Sequence, residues 1–159
     1  MQRGRQAKIP SPGTNQKLHI FAALDWKTGH IDHRVFPKKN GQHFLAFLEH
    51  LEAQRKGNQR KAILVLDNAS YHGTRAVGDW LEKHAHRYYP FWLPPYSPEL
   101  NLIDRFWGHL KGAALANHYF GNVHNLHQAI NDAVENFNRM GESLFDLVFR
   151  VSRKLPRAA

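Results

Sequence analysis

Two aspartates in this chain stand where a carboxylate can do more than face water. Asp67 closes the apolar run "AILVLD", and Asp104 lies in "LPPYSPELNLIDRFWGHLK", residues 93 to 111, three positions after Asn101. Carboxylates are hard oxygen ligands, suited to divalent cations such as magnesium, and two brought together can grip one ion. The chain has no cysteine, so disulfides and thiolate-held zinc or iron–sulfur centres are excluded, and any metal must rest on oxygen or imidazole. Twelve histidines include the pairs His30/His33, His84/His86 and His124/His127. None comes with a third convergent ligand or an H-E-x-x-H pattern, so they read as ordinary surface residues.

The elements that must position the two acids follow from periodicity. Ala62 to Leu66 are five consecutive apolar residues bounded by charge, the pattern of a strand buried on both faces inside a sheet. Asp67 then falls at the carboxyl end of that strand, where groups that do chemistry collect in α/β sheets. Before it, "KLHIFAALDWKTGHIDHRVFP" reads as a β-hairpin turning at Asp25 to Gly29, and Phe44, Phe47, Leu48 and Leu51 follow at helical spacing. After it come a short helix in "GTRAVGDWLEKHA", an aromatic strand in "RYYPFW", a Pro-rich loop, a helix over 101 to 116 and another over 122 to 138. Strands alternating with helices after a hairpin predict an α/β sheet of mixed direction. Three regions result: an extended basic arm over 1–17, a globular domain over 18–140, and a C-terminal helical segment with a basic tail over 141–159.

On a wheel of about 100° per residue, Leu102, Ile103, Phe106, Trp107, Leu110 and Ala114 share one buried arc. Asp104 and Lys111 fall just beyond Trp107, at the margin of that packed surface. An acid there need not be a ligand. Asn101 is a good N-cap, and Asp104 three residues later resembles a capping box that suits the helix dipole. Asp25 fits a turn residue, and Asp32 a solvated position on the second strand.

Composition bounds the partners. With 159 residues, 42% of them hydrophobic, the chain can build one compact domain. Its net charge of +9 favours a polyanion, because neutralising phosphates releases condensed counterions. No run of about 18 apolar residues and no signal-peptide pattern is visible, so no membrane association is expected and the cytoplasm is the expected compartment.

The segments "LVLDNASYH", "LPPYSPELNLID", "FW" and "LK", at this spacing, closely resemble the catalytic domain of DDE transposases, in the bacterial insertion-sequence branch of the mariner-like superfamily. The resemblance runs from about Leu18 to Phe137. It implies a ribonuclease-H-like fold, a mixed β-sheet flanked by helices, in which three acids hold two divalent metals, magnesium or manganese, for strand cleavage and joining at transposon ends. The second acid of that motif maps onto Asp67 and the third onto Asp104, 37 residues apart. Asp104 stands where this branch usually has glutamate, and Leu102 where it has proline; aspartate remains a hard ligand, one methylene shorter. His72 matches the motif's histidine and either approaches the phosphate, supports the metal side as a hydrogen-bond partner, or is a loop histidine satisfied by local bonds. Asn68 either orients Asp67 or caps the next segment, and Lys111 is a candidate phosphate contact where a solvated lysine is the default. Tyr96 and Trp92 either stack on bases or pack the Pro-rich loop.

The front of the motif is not matched. In the family the first aspartate lies on a central strand preceding the hairpin, whereas "QRGRQAKIPSPG" resembles the connector after that strand. The domain is therefore expected to be N-terminally truncated, lacking the first strand and its aspartate. Two metals about 3.5–4 Å apart must bridge the scissile phosphate, so an incomplete two-metal site and weak or absent activity of the isolated chain are expected. A lost central strand also leaves two sheet edges bare and open to pairing with another chain. Three functions follow in order. The first is a transposase catalytic part completed by an upstream product or by self-association; the second, a non-catalytic DNA-binding or regulatory remnant; the third, another ribonuclease-H-like nuclease of the resolvase type.

Overall fold

An apolar run, "HIFAAL", and an alternating one, "IDHRVF", form the first two strands. β1 (His19–Leu24) and β2 (Ile31–Phe36) pair antiparallel, with His19 opposite Phe36 and Leu24 opposite Ile31. The turn between them is built by Asp25, whose Oδ1 accepts from the Lys27 and Thr28 N–H groups at 2.8 and 3.4 Å. Gly29, at φ 75°, returns its N–H to the Asp25 carbonyl at 2.8 Å, a left-handed conformation that glycine adopts without steric cost. The computed structural model describes residues 17–55, 57–116 and 118–140; the arm up to residue 16 and the segment 141–159 lie outside the described residues.

Helix α1 (Gly41–Gln54) starts at Asn40, whose side chain accepts the His43 N–H at 2.9 Å, and buries Phe44, Phe47 and Leu48. β3 (Ala62–Leu66) pairs parallel with β4 (Tyr88–Trp92), the right-sized crossover between them being α2 (Arg75–Lys83), which buries Val77, Trp80 and Leu81. The third helix, α3 (Leu102–Leu110), and the fourth, α4 (Val123–Met140), complete the order.

Two cores form on opposite sides of the strands. Phe21 of β1, Leu66 of β3 and Tyr88 of β4 pack with the apolar stripes of α1 and α2, and Ala23 and Leu64 adjoin them. Because side chains alternate along a strand, Ala22 and Leu24 point the other way, where Ile31, Phe106, Leu110, Val134 and Phe137 form the second core with α3 and α4. Across the first core Glu52 ties the end of α1 to the start of β4, forming an ion pair with Arg87, Oε1 to Nε 2.7 Å, and accepting from the Tyr88 hydroxyl at 2.8 Å. Burial alone would raise the pKa of Glu52, but the Tyr88 hydrogen bond and the Arg87 charge outweigh it and hold the carboxyl below its usual value.

Four features differ from expectation. There is no single sheet: the strands form two separate two-stranded sheets, so β1 and β3, although both feed the first core, each keep one unpaired edge among the described residues. The far edge of β2 is closed at one end, where Asn138 accepts the Ile31 N–H at 2.8 Å and donates to its carbonyl at 2.9 Å. Second, β3 is not covered on both faces among the described residues. Ile63 and Val65 are 70% and 53% exposed, and Tyr89 and Phe91 beside them are 56% and 50% exposed, because α3 and α4 lie over β1 and β2 instead. Third, Asp32 is not simply solvated but meets His50 Nε2 at 3.1 Å. Fourth, α3 ends at Leu110, and Lys111–Leu115 continue as a wider π-type turn closed by the Ala116 N–H on the Lys111 carbonyl at 2.7 Å.

Candidate active site

β3 delivers Asp67 to the carboxyl end of the parallel pair. The ladder is extended past the strand by the Leu93 N–H on the Leu66 carbonyl at 2.8 Å, and Asn68 latches the same junction by donating to the Leu93 carbonyl at 2.7 Å. The chain then turns on Asp67 itself, whose Oδ1 accepts the Ala69 N–H at 3.1 Å. His72 completes the turn. Its Nδ1 faces both Asp67 Oδ1 at 2.9 Å and the Asp67 carbonyl at 3.0 Å, so the ring carries its proton there and donates to this one residue. The imidazole is buried between Phe44 and Tyr71, at ring centroid distances of 4.2 and 4.4 Å. That burial lowers its pKa against the raising influence of Asp67, so the neutral, Nδ1-protonated form is favoured.

The first turn of α3 brings Asp104 to the same place. The Pro-rich loop reaches it through a 3-10 turn at Pro98–Leu100. Asn101 then opens the helix without a capping bond from its side chain; instead its Nδ2 leans on Asp67 Oδ2 at 3.4 Å. The capping-box reading of Asp104 fails with it, because the Asp104 carboxylate makes no hydrogen bond or ion pair among the described residues. Phe106 and Leu110 bury the helix's inner face, and Asp104 is left at the rim. Its pKa is raised, first by partial desolvation and then by the negative charge of Asp67, with Lys39 and Lys111 pulling the other way. The charge of Asp67 thus reaches Asp104.

Asp67 and Asp104 are the carboxylates here that could hold a divalent cation, both being hard oxygen donors. Among the described residues no third histidine, aspartate or glutamate joins them to make a three-ligand group. The family's model for DDE superfamily endonucleases matches residues 1–127 of this chain. This chain belongs to the DDE superfamily of endonucleases. The resemblance read from its motifs is borne out.

Among curated relatives, this DDE domain is 26% identical over 133 residues to the insertion element IS630 uncharacterized 39 kDa protein of Shigella sonnei, covering 84% of this chain and 38% of that protein. Among solved structures it superposes on a Mos1 transposase paired-end complex with left transposon end at a TM-score of 0.63, and on the Mos1 strand transfer complex at 0.61. Both are 19% identical and cover 94% of this chain and 48% of theirs, which bears out the ribonuclease-H-like fold class. The chain spans less than half the length of these relatives.

Of the remaining residues singled out from the sequence, Lys111 lies within electrostatic reach of Asp104, and Asn68 is spent on the β3–β4 junction. Tyr96 does not pack the Pro-rich loop: it is fully exposed, at φ 58°, and Trp92 is also exposed. Two further residues act near the acids: Asn101, which has the sequence pattern of a cap, reaches Asp67 Oδ2, and the charge of Lys39, in "PKKNG", reaches Asp104. The sequence signal for Lys39 was a basic pair directly before an N-cap asparagine, but its place beside the acids depends on a tertiary approach. Gly41 packs so closely on Thr74, at the start of α2, that a Cβ there would come within 2.6 Å of both Thr74 Cγ2 and Oγ1. That contact holds the β2–α1 loop against the Asp67–Thr74 segment.

Proposed function

We propose that this chain is the catalytic part of a DDE transposase that cleaves and joins DNA strands at transposon ends with divalent metal, magnesium or manganese. The observation that carries the reading is the approach of α3 to Asp67: the side chain of Asn101, which opens the helix, reaches Asp67 Oδ2 at 3.4 Å, and Asp104 stands in the first turn of that helix, in a chain of this family. When bound, divalent metal would activate the attacking water or 3′-hydroxyl and stabilise the leaving oxygen. Asp67 and Asp104 would hold it. His72, neutral and pinned on Asp67, fixes that carboxylate's orientation, in the manner of an outer-shell partner that keeps a ligand aimed. Lys111 would contact a phosphate and Tyr96 a base, and the +9 charge supplies the sequence-independent attraction to DNA.

A third carboxylate completes the site from outside the described residues. The unpaired edges of β1 and β3 are where an added strand would pair, at the level of Asp67. An upstream transposase product, bearing an aspartate on such a strand, is the proposed occupant. The test mixes the chain with that product and transposon-end duplexes, with magnesium, and follows nicking. The expected result is metal-dependent nicking by the mixture, abolished by Asp67→Asn and by Asp104→Asn; a folded mixture that never nicks would refute the reading. The net charge of +9, which attracts DNA without any chemistry, also suits a second reading, a non-catalytic DNA-binding remnant. Its mark is DNA binding indifferent to magnesium and to Asp67→Asn.

A further inference from the structure

We infer that Lys39 is a DNA contact of this site, receiving a phosphate of the strand that lies across Asp67 and Asp104. The inference rests on the reading of the chain as a DNA-processing domain and adds a residue to it. Lysine usually keeps a mobile, hydrated head group at the end of a flexible stem. Here the ammonium has a seat: Nζ lies 5.0 Å from the centroid of the Tyr71 ring, within cation–π range. Tyr71 is itself held, packing against Phe21 at 5.5 Å, Phe44 at 6.1 Å and the His72 ring at 4.4 Å. One side of Tyr71 therefore touches the histidine that grips Asp67, and its face carries the lysine.

The backbone under Lys39 is fixed from both directions. The His43 ring donates through Nδ1 to the Lys38 carbonyl at 2.8 Å, and the Asn40 side chain and carbonyl accept the N–H groups of His43 and Phe44 at 2.9 and 3.0 Å. Gly41 then locks the loop on Thr74. Lys39 forms no ion pair among the described residues, although Asp104 and His72 both lie within range of its charge. A preset cation, seated on the tyrosine that touches His72 and within range of Asp104, complements an anion that must approach the two acids. A phosphodiester is that anion.

The test measures binding of a transposon-end duplex to the 159-residue chain by fluorescence anisotropy across a salt series in EDTA, so that no metal or cleavage contributes. Neutralising one phosphate contact removes about 0.9 from the slope of log affinity against log salt. Lys39→Gln is expected to make the slope shallower by about that amount, Lys39→Arg to keep it, and Lys83→Gln, in the last turn of α2, to leave it unchanged. A Lys39→Gln slope equal to that of the unsubstituted chain, or a Lys83→Gln loss of the same size, overturns the inference while leaving the DNA reading intact. Failure of the unsubstituted chain to bind at all overturns both. A lysine that served only to tune Asp104 would leave the slope in EDTA unmoved, which counts against the inference as well.

Discussion

The contact between Gly41 and Thr74 decides whether the loop bearing Lys39 is held against the Asp67 turn, and it can be tested by a mutant cycle. Gly41→Ala should be harmless on local grounds, because the position opens α1 and its φ is not in the left-handed region, and alanine is the better helix former by up to about 1 kcal/mol. The structure says otherwise. The new Cβ would sit 2.6 Å from Thr74 Cγ2, 2.6 Å from Oγ1 and 3.1 Å from Cβ, so rotating the threonine exchanges one clash for another. Overpacking of this kind costs about 1–3 kcal/mol, and in a domain of this size each kcal/mol lowers Tm by about 2–4 °C. Thr74→Ala removes the two nearest atoms. Its hydroxyl is buried without a hydrogen-bond partner and makes no capping bond, so the single substitution should cost only about 1 kcal/mol for the lost methyl contact. In the Thr74→Ala background, Gly41→Ala should then be close to neutral, giving a coupling of about 1–3 kcal/mol by thermal or urea unfolding. Additivity of the two changes within about 0.5 kcal/mol would refute the close approach, and with it the account of how Lys39 is placed.

Two further outcomes probe the rest of the fold. Glu52 has a folded-state pKa below its unfolded value, so its stabilising effect is present above the unfolded carboxylate range and disappears as pH falls through the folded value; Glu52→Gln should therefore lose about 1–3 kcal/mol near neutral pH, where Arg87 and Tyr88 lose their charged partner, and the deficit should shrink in acid when unfolding is followed by denaturant at each pH. On β3, Val65→Lys should change stability by no more than about 0.5 kcal/mol, while Leu66→Ala, one residue on and facing the first core, should cost about 2–5 kcal/mol; a large loss for the lysine variant would mean that the sheet face carrying Ile63, Val65, Tyr89 and Phe91 is covered.

The order of elements was legible because each is governed by its own residues. An apolar run, a turn cluster and an alternating run set the hairpin, and helical spacing set α1 and α4. The family motif named Asp67 and Asp104, and the wheel put Asp104 at the margin of the buried face of α3, where it stands. What could not be read was anything decided between elements. Five apolar residues in a row state that a strand prefers to be dry; they do not say on which side the same chain supplies a helix, and here α3 and α4 follow Ala22, Leu24 and Ile31 to the other sheet. Asn101 has the chemistry of a cap, yet a carboxylate within reach competes for the same amide, and the helix opens without it. Lys39 lies 28 positions before Asp67 and 65 before Asp104, distances over which no local periodicity carries information. A glycine against a threonine links them. The steric fit of Gly41 on Thr74 places a cation, the hydrogen bonds of His72 aim one acid and the packing of Phe106 sets the other, so the site is assembled by contacts that contain none of its chemistry.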